Sequence, residues 1–336
     1  MSLSSLSRRI FVTTAAALTL AVAGCAGTPA AITDPLPSWN DGASKKAIVA
    51  FVDAVTREGG ASYVPPAERI AVFDNDGTLW AEQPLYFQFI YWVDQARAAA
   101  PQHPEWKANP VYDALVAGDM ARLLANQKAM FEILTAASAG ISVEDYDRSA
   151  REWLAKTRHP TSGRLYTEMV YQPQLELLAY LRGKGFKTFI VSGGSHEFMR
   201  PWSEAVYGIP PEQVVGSFTP LKFESYQGNL ALVRQPGFEM NDGPTKPVGI
   251  YRQIGRRPIL AVGNSDGDLQ MLQFTTAGPG RRLGVIVHHD DAAREYAYDR
   301  QSGIGKLDKA LDEARTKGWT VVSMKDEWKQ IYPPSK

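Results

Sequence analysis

The stretch RIAVFDNDGTLWAEQP, residues 69–84, joins an apolar run to a pair of carboxylates. The run from Ile70 to Phe73 has the length and composition of a short buried strand. It stops at Asp74, and Asp76 follows two residues later. Residues two apart on extended backbone point the same way, so the two carboxylates are predicted to lie side by side. Such a pair is unfavourable without a cation or a shared proton.

Both ways of relieving this repulsion suit phosphoryl transfer. One carboxylate can attack phosphorus and bind a hard cation, while the other holds a proton for the leaving oxygen. Gly77 allows the chain to turn sharply after the pair, and Thr78 supplies a hydroxyl. An aspartate-rich turn that merely ends the strand would have the same local sequence. The stretch alone therefore leaves both interpretations open.

The segments that follow predict an α/β protein. Three further strand-like runs are separated by helix-like segments, namely KTFIVSG (187–193), RPILAVGN (257–264) and RRLGVIVHH (281–289). Strands that alternate with helices indicate a doubly wound, mainly parallel sheet covered on both faces. Ligands of such sheets collect outside the carboxyl ends of the strands.

A long helical interruption divides this pattern. From about residue 85 to 157 the apolar residues recur every three or four positions, as on one face of a helix. We therefore predict a core formed by residues 46–82 and 172–336, with a helical insertion at 83–171.

Three later segments favour a site over a simple turn. FIVSGGSHEF places Ser192, Gly193 and Gly194 between a strand and a predicted helix. A hydroxyl, bare backbone N–H groups and a helix N-terminus can together bind phosphate. NDGPTKPVG places Lys246 in a polar loop, where it could neutralise a phosphorylated aspartate, although most lone lysines are surface charges.

The third of these segments, ILAVGNSDGDLQM, ends a strand in a cluster of oxygen-bearing side chains. Asn264, Ser265, Asp266 and Asp268 suit Mg²⁺, which takes few protein ligands and keeps water and phosphate oxygens. A hydrophilic turn is the alternative for this segment too. The order of all four segments along the alternating pattern favours one shared site.

In that order, the four segments resemble the motifs of the haloacid dehalogenase superfamily of phosphohydrolases. DNDGT matches the first motif, the strand-end Ser192 the second, Lys246 the third and GNSDGD the fourth; VSGG is also similar to the phosphoserine phosphatase branch. The resemblance covers about residues 66–82 and 172–290. It implies a Rossmann-like core with a helical cap of the C1 type between the first two motifs, and such caps usually select the substrate.

The resemblance also implies a role for each motif residue. Asp74 would be the nucleophile that forms an aspartyl-phosphate, and Asp76 would protonate the leaving alkoxide and then activate water. Ser192 and the N–H of Gly193 would hold phosphate oxygens, and Lys246 would bridge Asp74 and the phosphoryl group. Gly194 and Thr78 complete the expected phosphate-binding set.

The fourth motif departs from the family pattern. The family usually has an aspartate directly after the glycine, as a metal ligand, and this chain has Asn264 there. A carboxamide oxygen can still bind Mg²⁺ but brings no charge. The expected ligands are Asp74, Asp76, Asn264 and Asp268, with Asp266 as the alternative.

Several other residues are weaker candidates. Glu82 and Trp80 lie where the chain leaves for the cap and could contact substrate. His196 is predicted to begin a helix rather than to catalyse. His288 and His289 face opposite ways on a strand, so only one of them could line the pocket. Four cap arginines could bind a substrate carboxylate or could be surface charges: Arg97, Arg122, Arg148 and Arg151.

The N-terminus is predicted to be an export signal rather than part of the fold. Residues 1–24 combine a short basic region with a run of small apolar residues, and SRRIFV resembles a twin-arginine signal. AVAGC resembles a lipobox, so Cys25, the only cysteine, would be lipidated. Residues 25–45 read as a polar tether. We expect a protein lipid-anchored to a bacterial membrane on its periplasmic side.

Composition and motifs together favour one function among several. The 36 basic and 36 acidic side chains balance, with no basic stripe, so nucleic-acid binding has no electrostatic support. The favoured function is Mg²⁺-dependent hydrolysis of a small phosphorylated metabolite. A phosphotransferase with an alcohol acceptor, or a non-catalytic binding lipoprotein supported only by Asn264, remains open. A dehalogenase is disfavoured, because that branch does not require the second aspartate.

Overall fold

The computed structural model describes residues 34–334. The predicted export signal, the lipidation residue Cys25 and the tether up to residue 33 lie outside this range. From residue 34 to residue 334, no helix combines the length and apolar character needed to cross a membrane.

The predicted parallel sheet is present and has seven strands. The strands are β1 (Ile70–Phe73), β2 (Lys187–Ser195), β3 (Val214–Ser217), β6 (Leu260–Gly263), β7 (Leu283–Asp290), β8 (Ala297–Tyr298) and β9 (Thr320–Ser323). Five of them run parallel in the order β3-β2-β1-β6-β7, and β9 (parallel) and β8 (antiparallel) both pair with β7. A separate antiparallel hairpin consists of β4 (Leu221–Tyr226) and β5 (Asn229–Arg234).

Alternate residues of the central strands belong to two different cores. In β1, Ala71 and Phe73 face one hydrophobic cluster, while Ile70 and Val72 face the other. All four side chains are almost completely buried. A strand covered on both faces reads as a continuous apolar run, which explains the sequence of β1.

Helices cover both faces of this sheet. The helices outside the predicted insertion are α1 (Ala43–Thr56), α7 (Gln172–Gly183), α8 (His196–Tyr207), α9 (Lys246–Ile254), α10 (Leu269–Thr276), α11 (Lys309–Lys317) and α12 (Met324–Glu327). Apolar residues of α1, α7 and α8 belong to the first cluster, and those of α9, α10 and α11 to the second. The doubly wound α/β prediction is confirmed.

The interruption between β1 and α7 is helical, as its periodicity predicts. Its helices are α2 (Phe87–Ala99), α3 (Tyr112–Ala117), α4 (Met120–Ala125), α5 (Gln127–Ala136) and α6 (Val143–Lys156). Hereafter the cap means residues 87–156. The exact division between core and cap, at 83 and 171, stays a prediction.

The β4–β5 hairpin is an element that the sequence analysis missed. Its strands alternate in side-chain direction and are joined by Gln227 and Gly228, both with positive φ. Two-residue loops with positive φ at both positions are the turns that favour tight hairpins. The dipeptide Gln227-Gly228 between two strand-like runs could therefore have predicted this hairpin from the sequence.

The tether prediction is wrong from Leu36 onward. Leu36 and Trp39 are fully buried, and α1 already begins at Ala43. The Trp39 indole donates to the carbonyl of Pro173 at 3.0 Å and packs edge-on against Trp328. The apolar residues of this segment thus belong to the core rather than to a solvated linker.

Candidate active site

The site lies at the point where the chain reverses its direction across the sheet. From β1 the chain proceeds to β2 and β3 on one side, then returns to β6 and β7 on the other. The carboxyl ends of β1 and β6 therefore meet at a topological switch point. The N–H of Asp74 donates to the carbonyl of Val262 at 2.9 Å, which fixes the end of β1 against β6.

Lys246 lies between two carboxylates in the interior of this site. Its Nζ lies 2.6 Å from Oδ1 of Asp268 and 3.0 Å from Oδ1 of Asp74. The contact with Asp74 is an ion pair that lacks hydrogen-bond geometry. Burial opposes the charge of Lys246, but Asp268 and Asp74 raise its pKa above the ordinary value, so it stays a cation. The sequence placed Lys246 in a loop; it is the first residue of α9.

The two aspartates of the first motif have different surroundings. Burial, with Asp268 nearby, raises the pKa of Asp74 well above its usual range, and Lys246 opposes this rise. Burial also raises the pKa of Asp76, to about 6, against the lowering effect of a hydrogen bond from Trp80. That bond joins the indole Nε1 to Oδ1 at 2.8 Å. Asp76 can therefore exchange a proton near neutral pH, as a general acid and base must.

The end of β2 brings a hydroxyl and two glycines next to this pair. The Ser192 hydroxyl accepts a hydrogen bond from the N–H of Gly194 at 3.0 Å. A Cβ added at Gly194 would lie 3.4 Å from that hydroxyl and 3.5 Å from Oδ2 of Asp76. One added at Gly193 would lie 3.2 Å from Asp242, an acid at the mouth of the site that the sequence analysis missed. The Ser192 motif is thus beside the carboxylate pair, as the strand order predicts.

Thr78 and Asn264 bind each other. The Thr78 hydroxyl donates to Oδ1 of Asn264 at 2.9 Å, and Thr78 is fully buried. The Asn264 amide Nδ2 donates to Oε1 of Glu82 at 2.7 Å. The expectation that Thr78 binds phosphate is therefore not supported, because its hydroxyl is used to hold the fourth motif.

Two of the expected metal ligands, Asp268 and the alternative Asp266, accept hydrogen bonds from other groups of the protein. Oδ2 of Asp268 accepts the backbone N–H groups of Asn264 and Ser265 at 2.9 Å and 3.1 Å, while its Oδ1 accepts from Lys246. Oδ1 of Asp266 accepts the N–H groups of Asp308 and Ala310, at the start of α11. The structure therefore gives no support to the suggestion that Asp266 replaces the missing acid, and Asp268 binds its own loop and Lys246.

The two proposed substrate contacts at the cap entrance are also buried. Trp80 has no exposed surface, stacks on Trp202 with ring centroids 4.4 Å apart and donates to Asp76. Glu82 is 2% exposed and accepts hydrogen bonds from Asn264 and from the hydroxyl of Tyr298, the latter at 2.8 Å. Neither side chain is placed to stack on or grip a substrate.

Gln88, near the start of α2, is a site residue that the sequence analysis missed. Its Oε1 accepts the N–H of Ser195 at 2.7 Å and would lie 3.1 Å from a Cβ at Gly194. Its buried Nε2 has no hydrogen-bond partner. The first turn of the cap thus brings an amide donor beside the second motif. No local pattern marks this residue in the sequence.

The adjacent histidines have separate roles. His289 is buried and donates from Nε2 to the carbonyl of Gly77 at 2.7 Å, while its Nδ1 lies 3.3 Å from Glu295. His288 lies 3.4 Å from Asp299 instead. His289 of β7 therefore stabilises the turn of the first motif through the carbonyl of Gly77. The sequence analysis considered it only as a pocket residue.

The remaining candidates have contacts with other parts of the protein. His196 begins α8, as predicted, and burial lowers its pKa to about 4; it lines a cavity of about 420 Å³ beside β3 and α9. Three cap arginines bind partners within the cap: Arg97 binds the Leu115 carbonyl, Arg148 binds Asp145, and Arg151 binds Asp147.

The charge of the site suits a divalent cation. Three buried or half-buried carboxylates, Asp74, Asp76 and Glu82, are near one another, and Lys246 is already shared with Asp268. Among residues 34–334, no group of three or more His, Cys, Asp and Glu side chains is arranged to hold a metal ion. A cation here would thus need the carboxamide of Asn264 or a backbone carbonyl among its ligands, which are donors that Mg²⁺ accepts.

Comparison with known proteins identifies the family. The sequence model of the haloacid dehalogenase-like hydrolases matches residues 71–273, which is more than half of the chain. The chain belongs to this family. A comparison with curated protein sequences gives no match.

One solved structure shows a similar fold at low sequence identity, and two others match with lower scores. A conserved functionally unknown protein from Anaerococcus prevotii is 14% identical, with 83% of this chain and 91% of that chain covered and a TM-score of 0.50. A probable phosphoserine phosphatase from Vibrio cholerae is 17% identical, with 75% and 67% covered and a TM-score of 0.36. A phosphoserine phosphohydrolase-like protein from Francisella tularensis is 15% identical, with 74% and 98% covered and a TM-score of 0.36.

Proposed function

We propose that this protein is a Mg²⁺-dependent phosphomonoester hydrolase that acts through an aspartyl-phosphate. The observation that carries the proposal is the pairing at the end of β1. Asp74 lies 3.0 Å from the buried cation Lys246, and two residues later Asp76 has a pKa of about 6. A nucleophile held by a cation and a proton donor poised near neutral pH are the two groups that this reaction needs.

In the first half-reaction, a carboxylate oxygen of Asp74 attacks phosphorus as the bond to the leaving oxygen breaks. Asp76 gives its proton to that oxygen and becomes a carboxylate. In the second half-reaction, Asp76 takes a proton from water, whose oxygen attacks phosphorus and releases phosphate and Asp74. Lys246 offsets the negative charge on the transferring group.

Mg²⁺ would be held by the Asp74 carboxylate, the Asp76 backbone carbonyl and Oδ1 of Asn264. When bound, it would screen the repulsion between Asp74 and an anionic phosphoryl group. Ser192 and the N–H of Gly193 would hold the phosphoryl oxygens, which carry the charge in the transition state.

The substrate would be a small phosphorylated metabolite selected at the junction of cap and core. Gln88 supports this placement, because its unpartnered Nε2 is available to the leaving group or to a phosphate oxygen. The acceptor would be water, with transfer to an alcohol as the alternative that product analysis distinguishes.

The test is phosphate release from a panel of small phosphomonoesters, with Mg²⁺ and with a chelator. Release is expected with Mg²⁺ only. Asp74→Asn should lose at least about 1,000-fold in kcat, since removal of a covalent nucleophile abolishes its pathway. Asp113→Asn, an exposed change in α3, is the matched control. Normal turnover by Asp74→Asn would refute the proposed nucleophile.

We also propose that the protein is exported and anchored through a lipid on Cys25. The support is the sequence of residues 1–25 alone. In a bacterial host, Cys25→Ser should move the protein from the membrane to the soluble fraction. A protein with unchanged membrane association in that variant would not be anchored in this way.

A further inference from the structure

Glu82 is a buried carboxylate that the proposed mechanism does not use. It is 2% exposed, and its Oε1 accepts from Nδ2 of Asn264 at 2.7 Å and from the hydroxyl of Tyr298 at 2.8 Å. A buried carboxylate with only neutral donors around it is unfavourable unless a cation is close.

This contact fixes which way the Asn264 amide faces. When it is ionised, Glu82 only accepts hydrogen bonds, so the amide nitrogen of Asn264 faces it, as the 2.7 Å contact has it. The amide oxygen is then directed to the other side, where the Thr78 hydroxyl donates to it at 2.9 Å. An oxygen with two lone pairs retains one for a cation.

Two glycines provide the space for this carboxylate. A Cβ at Gly77 would lie 2.1 Å from the Asn264 amide nitrogen and 2.3 Å from Oε1 of Glu82. A Cβ at Gly305 would lie 2.0 Å from the same oxygen. Both glycines have positive φ. The backbone therefore accommodates the Glu82–Asn264 pair from two sides.

We propose that Glu82 supplies, through Asn264, the negative charge that this position of the metal site otherwise lacks. Asp266 and Asp268 do not provide it, since the first binds the start of α11 and the second binds Lys246 and its own loop. Glu82 is thus a positioning residue that orients the amide oxygen toward the cation and adds a charge one hydrogen bond away. The inference rests on the proposed Mg²⁺ site.

The test measures Mg²⁺ binding by calorimetry, without substrate. Glu82→Gln should weaken Mg²⁺ binding by about 10-fold to 100-fold, the usual effect of removing a partner that orients a metal ligand. The double variant Glu82→Gln/Asn264→Asp returns the negative charge to the position next to Gly263. Its dissociation constant for Mg²⁺ should lie within about 3-fold of the wild-type value. Glu152→Gln, an exposed change in α6, is the matched control and should bind as wild type does.

The outcomes separate this inference from the proposed function. Unchanged Mg²⁺ binding in folded Glu82→Gln overturns the inference. Weak binding that the double variant fails to restore also overturns it, because moving the charge would not rescue a purely structural role. If either of these results is found but the wild-type protein hydrolyses phosphoesters with Mg²⁺, the proposed function stands and only the inference about Glu82 fails. If wild type binds no Mg²⁺, both fail together.

Discussion

At the scale of single residues, the site is a set of acids whose charges oppose one another. Asp74, Asp76 and Glu82 all have raised pKa values, with burial as the main cause. Trp80 and Asn264 orient two of these acids by donating one hydrogen bond each. The metal-free protein should therefore resist ionisation of its own active site.

The first prediction concerns pH and stability without metal. The folded-state pKa of Asp76 is about 6 against 3.8 unfolded, so the folded state holds the proton more tightly. Its contribution is then fully present below pH 3.8 and is lost as the pH rises through 6. The free energy of unfolding lost in this way is below about 3 kcal/mol, because Asp76 is only half-buried and solvent screens its charge.

Urea unfolding from pH 4 to pH 7 in chelator measures this effect. The free energy of unfolding of wild type should fall across this range, and that of Asp76→Asn should fall less. Equal slopes for the two proteins would show that Asp76 has no raised pKa. Saturating Mg²⁺ should restore stability at pH 7, because a ligand that binds only the folded state stabilises it.

The second prediction concerns Asn264→Asp alone. This change places a second carboxylate against Glu82, at the 2.7 Å contact that Asn264 now makes as a donor. Without Mg²⁺ we expect a lower melting temperature than wild type, since like charges at this distance repel. Thermal melts in chelator test this, and adding Glu82→Gln should remove the loss. A melting temperature at or above that of wild type would contradict it.

The third prediction compares two costs of replacing a glycine, the steric clash of the added Cβ and the strain of a positive φ. Gly77 and Gly140 have φ of +72° and +77°, but a Cβ at Gly140 would meet nothing within 4 Å. Alanine at either position should cost about 1–2 kcal/mol for its left-handed backbone. Gly77→Ala should cost clearly more, because its Cβ displaces both Asn264 and Glu82. Chemical denaturation of the two variants compares them, and equal losses would argue against close packing at Gly77.

At the scale of elements, the β4–β5 hairpin connects the core to the cap. The Tyr226 hydroxyl donates to Asp145 of α6 at 2.7 Å, and Val233 forms a bridge with Ser142. Beside them the buried guanidinium of Arg234 donates to Ser138 and Thr219 and lies 3.8 Å from the centre of the Tyr146 ring. Opening of the cap must therefore either carry the hairpin along or break these bonds.

The fourth prediction tests this connection. Arg234→Met should destabilise the protein by about 3–5 kcal/mol, because Glu197, 3.7 Å away, loses its buried cation. Amide hydrogen exchange should quicken most in residues 138–146 and 219–234. Arg234→Met/Glu197→Gln should recover part of the loss. Lys222→Met, at an exposed ion pair, is the control and should change stability by less than about 1 kcal/mol. Uniform exchange along the chain would contradict a local role.

At the scale of the whole molecule, the two ends of the described chain are joined in the first hydrophobic cluster. Trp39 and Trp328 are almost fully buried and pack edge-on, with centroids 5.9 Å apart. Tyr171, which directly precedes α7, packs on Trp328 as well. The segment before α1 thus closes the core on the side opposite to α9 and α10.

The fifth prediction follows from this closure. Trp39→Ala should reduce the free energy of unfolding by about 3–5 kcal/mol, as expected for an emptied core site. Tyr251→Ala, at a side chain that is 71% exposed, should change it by less than about 0.5 kcal/mol. Urea denaturation of both variants measures the difference. A small effect of Trp39→Ala would mean that this segment is only loosely attached.

Local sequence determined the class of fold and the main residues of the site. The buried run of β1, the helical spacing of the cap and the order of the four motifs are all local patterns. Each depends only on how residues a few positions apart share a face or a strand end. The parallel order of the strands predicted that Asp74, Asp76 and Ser192 lie near one another. The position of Lys246 beside Asp74 was implied only by the resemblance to the family.

Only the tertiary structure decided which side chains share a hydrogen bond. Glu82 meets Asn264 across 182 positions, and His289 meets Gly77 across 212. No periodicity records such contacts, because they depend on the folding of separate strands against each other. For the same reason the sequence could offer Asp266 as a ligand, and only packing showed that it binds α11 while Glu82 lies beside Asn264.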